Sequence, residues 1–433
     1  MESRLTDPSP KVENTLILAG YIKEKIHAGQ IEVLQDSVQQ LEIYFNQIKQ
    51  LNIIEKLTVL VSLISYFRKI KNYDKCAGYA RQAVSLSRHA NNVNILQFAD
   101  IYFDYSDVEY DYGQYGHARI LLAQLLQKLE VNNCNDNFVY GRLYLNLGKI
   151  NLAEENYEAG VGQLESALDL LKETASSNDP IVIKTVDLLV AALIKMEKYE
   201  KGIELYTQML NELHQEREKE LEVKTLLNIS EIYYHIDLLK AKKVVEQALE
   251  LMQHQDNNHD VKLRALMMLA EIEEHTGNLQ GAVSLYKRSL DHLEDLSNPM
   301  SAILYSKIGI LLSKINEFKQ GKMYLKQALN HASIIEPMKS KIYFVLGKIY
   351  TAEKRFNKAN EYFQYLLDEI ITNNKGNKSR KFGHILQMMA YNYLAENNNE
   401  KALASFYKSL KVFGEIQTLS DLDKGLICKL NIL

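Results

Sequence analysis

Four aspartates follow one another at helical spacing in the segment DIYFDYSDVEYDYG. Asp100, Asp104, Asp107 and Asp111 are separated by four, three and four residues, which places their carboxylates on one face of a helix. Like charges at these intervals weaken a helix slightly, and a basic partner segment would relieve that cost. The aspartate stripe therefore indicates a surface that binds a basic segment.

Two other interpretations of the aspartate stripe stay open. A run of like charges is often a solvated helix face that contacts nothing. The same carboxylates would also suit a wall that pairs with the cations Arg142 and Lys149 of a neighbouring element.

Lysines occupy two predicted helices in the C-terminal half of the sequence, at Lys307, Lys314, Lys341 and Lys348. If these helices and the aspartate helix line one groove, the charge of that groove changes sign along its length. Such a groove would orient an extended peptide, with a basic stretch at one end and an acidic group or free carboxylate at the other. Ordinary surface lysines are the alternative.

Two asparagines are further candidates for contact with a peptide backbone. Asn146 and Asn228 each offer one acceptor oxygen and two donor hydrogens, so each can bond the N–H and the C=O of an extended segment. Contacts of this kind tolerate many peptide sequences.

Motifs for catalysis or cofactor binding are absent from the sequence. It has no GxxxxGK[ST], GxGxxG, HExxH or GxSxG pattern, and Cys76, Cys134 and Cys428 stand too far apart for a CxxC pair. We therefore predict a protein that is not an enzyme, that uses no metal or other cofactor, and that works in the reducing cytoplasm.

The composition is that of a folded chain without a bias towards nucleic acid or membranes. Hydrophobic residues make up 46% and charged residues 24%, and the net charge is −4. No stretch reaches the roughly 18 consecutive apolar residues of a membrane span. We predict neither direct nucleic-acid binding nor membrane insertion.

An internal repeat explains most of the sequence. Similar copies occur at residues 144–171, 305–332 and 343–370, and each begins with an aromatic residue, followed by an apolar residue and a glycine and later by a polar turn. Small residues recur early in the second half of each copy, at Cys76, Ala118, Gly160, Gly202, Ala241, Ala282, Gly321, Ala359 and Ala402. Their separations of 38 to 43 residues predict nine copies.

These copies resemble the tetratricopeptide repeat (TPR), in which two helices, A and B, form one unit. The resemblance covers residues 57–414 and implies an all-α, right-handed α-solenoid of about nine helix pairs, whose A helices line a concave groove. It also implies a protein or short peptide as the partner in that groove and leaves a homo-oligomer open. We expect residues 1–56 to form an N-terminal helical extension or cap, and residues 415–433 a C-terminal capping helix.

Three segments are further similar to Rap-type bacterial peptide-pheromone receptors, at residues 61–70, 98–118 and 421–430. This resemblance implies a signalling-peptide receptor that changes conformation and controls a response regulator or other partner. Lys56 stands where that family has a glutamine required for dephosphorylation, so phosphatase activity is not predicted. A passive interaction scaffold and a peptide-switched regulator are therefore the two functional hypotheses.

Overall fold

The computed structural model describes residues 11–88, 95–252, 258–293, 295, 297–331, 336–372 and 379–414. In these ranges the regular structure is entirely helical, with twenty α-helices, one short 3₁₀ helix and no strand. The all-α prediction is confirmed.

Two helices precede the repeats. Helix α1 spans Val12–His27, a 3₁₀ turn spans Glu32–Leu34, and α2 spans Gln35–Gln47. The buried side chains of Leu18, Ile22 and Leu41 belong to the same apolar cluster as Leu60 in the first repeat. The hydroxyl of Ser62 donates to the carbonyl oxygen of Ala19 at 2.9 Å, which fixes α1 against that repeat.

Nine consecutive helix pairs follow, as the repeat count predicted. The first four are α3 Ile53–Lys69 with α4 Tyr73–Arg88, α5 Ile95–Asp111 with α6 Tyr115–Val131, α7 Asn137–Ala153 with α8 Tyr157–Lys172, and α9 Pro180–Lys195 with α10 Tyr199–Glu216. The other five are α11 Lys219–Ile236 with α12 Leu238–Leu251, α13 His259–His275 with α14 Leu279–Leu290, α15 Pro299–Lys314 with α16 Phe318–Asn330, α17 Glu336–Ala352 with α18 Phe356–Thr372, and α19 Arg380–Ala395 with α20 Asn399–Gly414.

The chain divides into two compact units. Unit 1 is Met1–Thr225 and unit 2 is Leu226–Leu433, so the boundary falls within α11. Each unit has its own set of cross-repeat contacts.

Close contact between helix A and helix B depends on the small residues that define the repeat. A Cβ atom added at Gly148 would lie 2.7 Å from Cγ of Leu164, and one at Gly309 would lie 2.6 Å from Cγ of Leu325. The small residues early in the B helices are all buried, at Cys76, Ala118, Gly160, Gly202, Ala241, Ala282, Gly321, Ala359 and Ala402. Burial of the Cys76 thiol also raises its pKa to about 12, so it acts as a small apolar group in this packing.

The turns between helix A and helix B share one backbone conformation. In every pair but one, a residue with left-handed φ ends the turn, at Lys71, Gly113, Glu155, Glu197, Gly277, Asn316, Lys354 and Asn397. The fifth pair differs, because only Asp237 separates α11 from α12. The Asp237 carboxylate caps α12 by accepting from the backbone N–H groups of Leu239 and Lys240, at 3.0 and 3.1 Å.

Two of the A helices begin at a proline. Pro180 and Pro299 are the first residues of α9 and α15, each preceded by a capping side chain, Asp179 and Asn298 respectively. No helix among the described residues is long and apolar enough to span a membrane. The expected C-terminal capping helix over residues 415–433, which includes Cys428, lies outside the described residues.

Two glycines in the α7–α8 pair provide a matched test of this packing. Gly148→Ala should lower the free energy of unfolding by about 1–3 kcal/mol, because its methyl group would overlap Leu164. Gly162→Ala, in the middle of α8 with open space around it, should raise it by about 0.5–1 kcal/mol. Urea denaturation followed by circular dichroism measures both, and equal effects of the two substitutions would contradict the packing described.

Candidate functional site

The aspartates of α5 are paired with a cation that sequence reasoning did not assign to the site. The Arg68 guanidinium of α3 donates through Nη1 to Asp104 and through Nη2 to Asp107, one helical turn apart. Ser65, one turn before Arg68, lies with its hydroxyl 3.5 Å from the Asp104 carboxylate. One arginine therefore joins two carboxylates of the next repeat.

Cations of α7 hold the same aspartate helix from the other side. Arg142 Nη1 lies 2.7 Å from the Asp100 carboxylate, and Lys149 Nζ lies 3.2 Å from that of Asp107. Both cations also lie over aromatic rings of α5: the Arg142 guanidinium is 4.3 Å from the centre of the Phe103 ring, and Lys149 Nζ is 3.8 Å from that of Tyr110. Helix α5 is thus held between two basic helix faces.

Burial of Asp104 makes this pairing necessary. Asp104 is only 8% exposed to solvent. Desolvation raises the pKa of the Asp104 carboxyl, and the adjacent Arg68 opposes that rise.

Asp111, the last residue of α5, is exposed and forms no ion pair with the described residues. Three of the four predicted aspartates therefore form one paired group, and the fourth stands apart.

Asn146 and Lys184 extend this surface along the next two A helices. Asn146 lies one turn from both Arg142 and Lys149, it is 9% exposed, and its amide makes no hydrogen bond to the described residues. In α9, desolvation lowers the pKa of Lys184, and the cations Lys149, Arg68 and Arg142 add to that effect, partly offset by Asp107. We call the following set the unit 1 wall: Arg68, Asp100, Asp104, Asp107, Arg142, Asn146, Lys149 and Lys184.

A cavity of about 380 Å³ lies beside the unit 1 wall. Helix α1 contributes Lys23 and Ile26 to it, and α3 contributes Val61 and Lys69. The remaining lining residues are Ser65, Arg68, Asp100, Asp104 and Arg142. A molecule bound there would contact the N-terminal helix and three repeats of unit 1 at once.

Three of the predicted binding residues of unit 2, Lys307, Lys314 and Asn228, contact side chains of a neighbouring repeat. Lys307 Nζ lies 2.6 Å from the Glu271 carboxylate, and Lys314 Nζ lies 2.8 Å from that of Glu274. The Asn228 amide oxygen accepts from Arg264 at 2.9 Å. These groups hold successive repeats together in the same way as the aspartates of unit 1.

Lys341 and Lys348 remain exposed on α17. Neither forms an ion pair with a residue that the structure describes, and Lys348 Nζ lies 5.8 Å from the centre of the Phe344 ring. No group of three or more His, Cys, Asp or Glu side chains in the described ranges could hold a metal ion.

The structure thus shows the pairing with Arg142 and Lys149 that one interpretation of the aspartate stripe required. Arg68 was missed, although a signal was available: it precedes Asp104 by 36 residues, close to one repeat length. The binding role of all these residues stays a prediction.

Neither a protein-family model nor a curated protein sequence matches this chain. Solved structures match it. RapI in its apo form aligns over 94% of this chain and 99% of its own, with a TM-score of 0.56 and 14% identity. The apo form of the quorum sensor NprR from B. thuringiensis covers 83% of this chain and 98% of its own, with a TM-score of 0.48 and 14% identity.

YrrB, described as a TPR protein with an unusual peptide-binding site, aligns over 52% of this chain and 98% of its own, with a TM-score of 0.38 and 16% identity. Of these three likenesses, the one to RapI extends over nearly the whole of both chains. It shows that this chain shares the fold of RapI.

Removing Arg68 should destabilise the protein, because the buried Asp104 carboxylate would lose its ion pair. Arg68→Met should lower the free energy of unfolding by about 2 kcal/mol at pH 7.5, because ionised Asp104 loses its main partner. Loss of that cation raises the pKa of Asp104 further, and the protonated acid needs no cation, so the deficit should shrink as the pH falls towards 5.

Urea denaturation at pH 7.5 and 5.0 measures this difference. Lys201→Met is the control, because it removes an exposed pair with Glu165 and should cost less than about 1 kcal/mol at either pH. A pH-independent deficit in Arg68→Met would show that Asp104 is not the source of the cost.

Proposed function

We propose that the protein binds an extended segment of another protein, or a short peptide, along the unit 1 wall. The wall brings backbone-binding and charged groups together from four consecutive A helices, α3, α5, α7 and α9. These groups lie on helices that are fixed by packing and by cross-repeat ion pairs. A preorganised surface of this kind loses little conformational entropy when it binds.

The observation that carries this proposal is the position of Asn146. Asn146 is buried in the wall, and its amide forms no hydrogen bond with a described residue. The cations on either side of it, Arg142 and Lys149, are paired with carboxylates. An amide with unused donor and acceptor groups in such a place can bond both the N–H and the C=O of an extended backbone. Binding, rather than catalysis, is the use that these residue types favour.

Changing Asn146 should weaken peptide binding without changing the fold. Heptapeptides selected from a random phage-displayed library on the full chain would be synthesised and titrated calorimetrically. Asn146→Ala should raise Kd at least about tenfold, because two backbone hydrogen bonds are lost. Lys198→Ala, an exposed residue before α10, should leave Kd unchanged. Failure to select any peptide, or an unchanged Kd in Asn146→Ala, would contradict the proposal.

A peptide-switched regulator is the second candidate function. The cavity favours it, because α1 contributes Lys23 and Ile26 to the lining while α3, α5 and α7 contribute the rest. A ligand that contacts both parts would bind more tightly to one arrangement of them than to another, which is the requirement for a ligand-driven change of conformation. The Rap-type sequence segments and the fold shared with RapI agree with this second function.

Solution scattering separates the two functions. A switch should change the radius of gyration of the full chain when a selected peptide is added at saturation, whereas a passive scaffold should keep it within error. The double variant Lys23→Ala and Ile26→Ala should abolish the change, because it removes the contacts of α1 with the cavity. An unchanged radius in the wild-type complex would exclude the switch.

A further inference from the structure

The cavity beside the unit 1 wall has an excess of positive charge. Its lining includes the cations Lys23, Arg68, Lys69 and Arg142, against the two carboxylates Asp100 and Asp104. We infer that this cavity receives a carboxylate of the bound peptide, which lies between Lys23 and Lys69 and accepts from the two arginines. The inference rests on the proposed function and specifies the chemistry of the ligand.

The two lysines are available for such a contact. Lys23 and Lys69 are both exposed, and neither lies within ion-pair distance of a carboxylate in the part of the chain that the structure describes. They belong to different elements, α1 and α3, yet line the same cavity. A carboxylate between them would add two charge-assisted contacts where none exists now.

The arginines of the cavity retain unused donors. A guanidinium has five N–H groups, and Arg68 uses one on each terminal nitrogen for Asp104 and Asp107. Arg142 uses Nη1 for Asp100 and keeps further donors while its plane lies over the Phe103 ring. Both arginines can therefore donate to an added carboxylate without leaving their present partners.

The three aspartates of the unit 1 wall do not offer a comparable site for a cation, because each is already paired with a basic side chain. Asp104 is buried and held by Arg68, and Asp107 is shared between Arg68 and Lys149. A basic ligand would have to displace those cations. In α9, Lys184 adds a further positive charge to the wall and forms no ion pair with a described residue. The electrostatic preference of the surface is thus for an acid, opposite to that suggested by the aspartate stripe alone.

The cavity also fits the short aliphatic part of an acidic group. Ile26 and Val61 give it two apolar lining residues, and its volume of about 380 Å³ lies within the usual range for ligand pockets. Either the side chain of an Asp or Glu residue or the free carboxylate at a peptide C-terminus would supply the same chemistry. The test must therefore distinguish these two sources.

An array of random heptapeptides tests the inference with the full chain as the probe protein. Half of the array carries amidated C-termini and half carries free carboxylates. We expect Asp and Glu to be enriched among bound amidated peptides if the side chain is the source. If the terminal carboxylate is the source, we expect free-carboxylate peptides to bind and their amidated counterparts to fail.

Variants locate the preference in the cavity. Lys23→Gln with Lys69→Gln should weaken binding of the strongest acidic peptide at least tenfold in a calorimetric titration, and should leave its neutral counterpart unchanged. Lys49→Gln with Lys198→Gln removes the same charge from exposed sites outside the cavity lining and should have no effect. Thermal melting of both double variants checks that the fold is retained.

Each outcome bears on a different claim. Peptides that bind without any preference for a carboxylate would overturn the inference and leave the proposed function standing. An acid preference that survives in Lys23→Gln with Lys69→Gln would overturn the cavity as its origin. Absence of any bound peptide would overturn both.

Discussion

The close approach of helix A to helix B is the constraint on which the rest of each unit depends. At Gly148 and Gly309 the facing leucine occupies the space that a side chain would need. Because each pair is that tight, the A helices stand at a fixed spacing and their outward side chains meet those of the next repeat. The ion pairs of the unit 1 wall are possible only because this packing sets their distance.

The packing also explains why the aspartates of α5 can be so close together. Three carboxylates within two helical turns repel one another, and Asp104 is in addition almost completely shielded from solvent. Arg68 before them and Arg142 and Lys149 after them supply the compensating charge. The acidic helix α5 therefore depends on its neighbours for stability, and its charge is compensated within unit 1.

The sequence predicted the helix pairs well because each pair is determined locally. Small residues such as Gly160 and Ala359, and turn residues such as Pro180 and Pro299, fix where a helix begins and where two helices touch. The net charge of the unit 1 wall was harder to predict, because it depends on which charges of different repeats come together. Read along the chain, Asp100, Asp104 and Asp107 form an acidic stripe, whereas in the folded unit the four cations of the unit 1 wall outnumber them.

The cross-repeat ion pairs limit how the array could be rearranged. Arg68 and Asp104 are 36 residues apart, Asp100 and Arg142 are 42 apart, and Glu271 and Lys307 of unit 2 are 36 apart. Opposite charges thus recur about one repeat length apart. A duplicated copy of the second repeat would place its aspartates against an identical acidic face, with no cation between them. These repeats are consequently not interchangeable modules, and insertion, deletion or shuffling of single copies should be tolerated far less than in an array with a uniform surface.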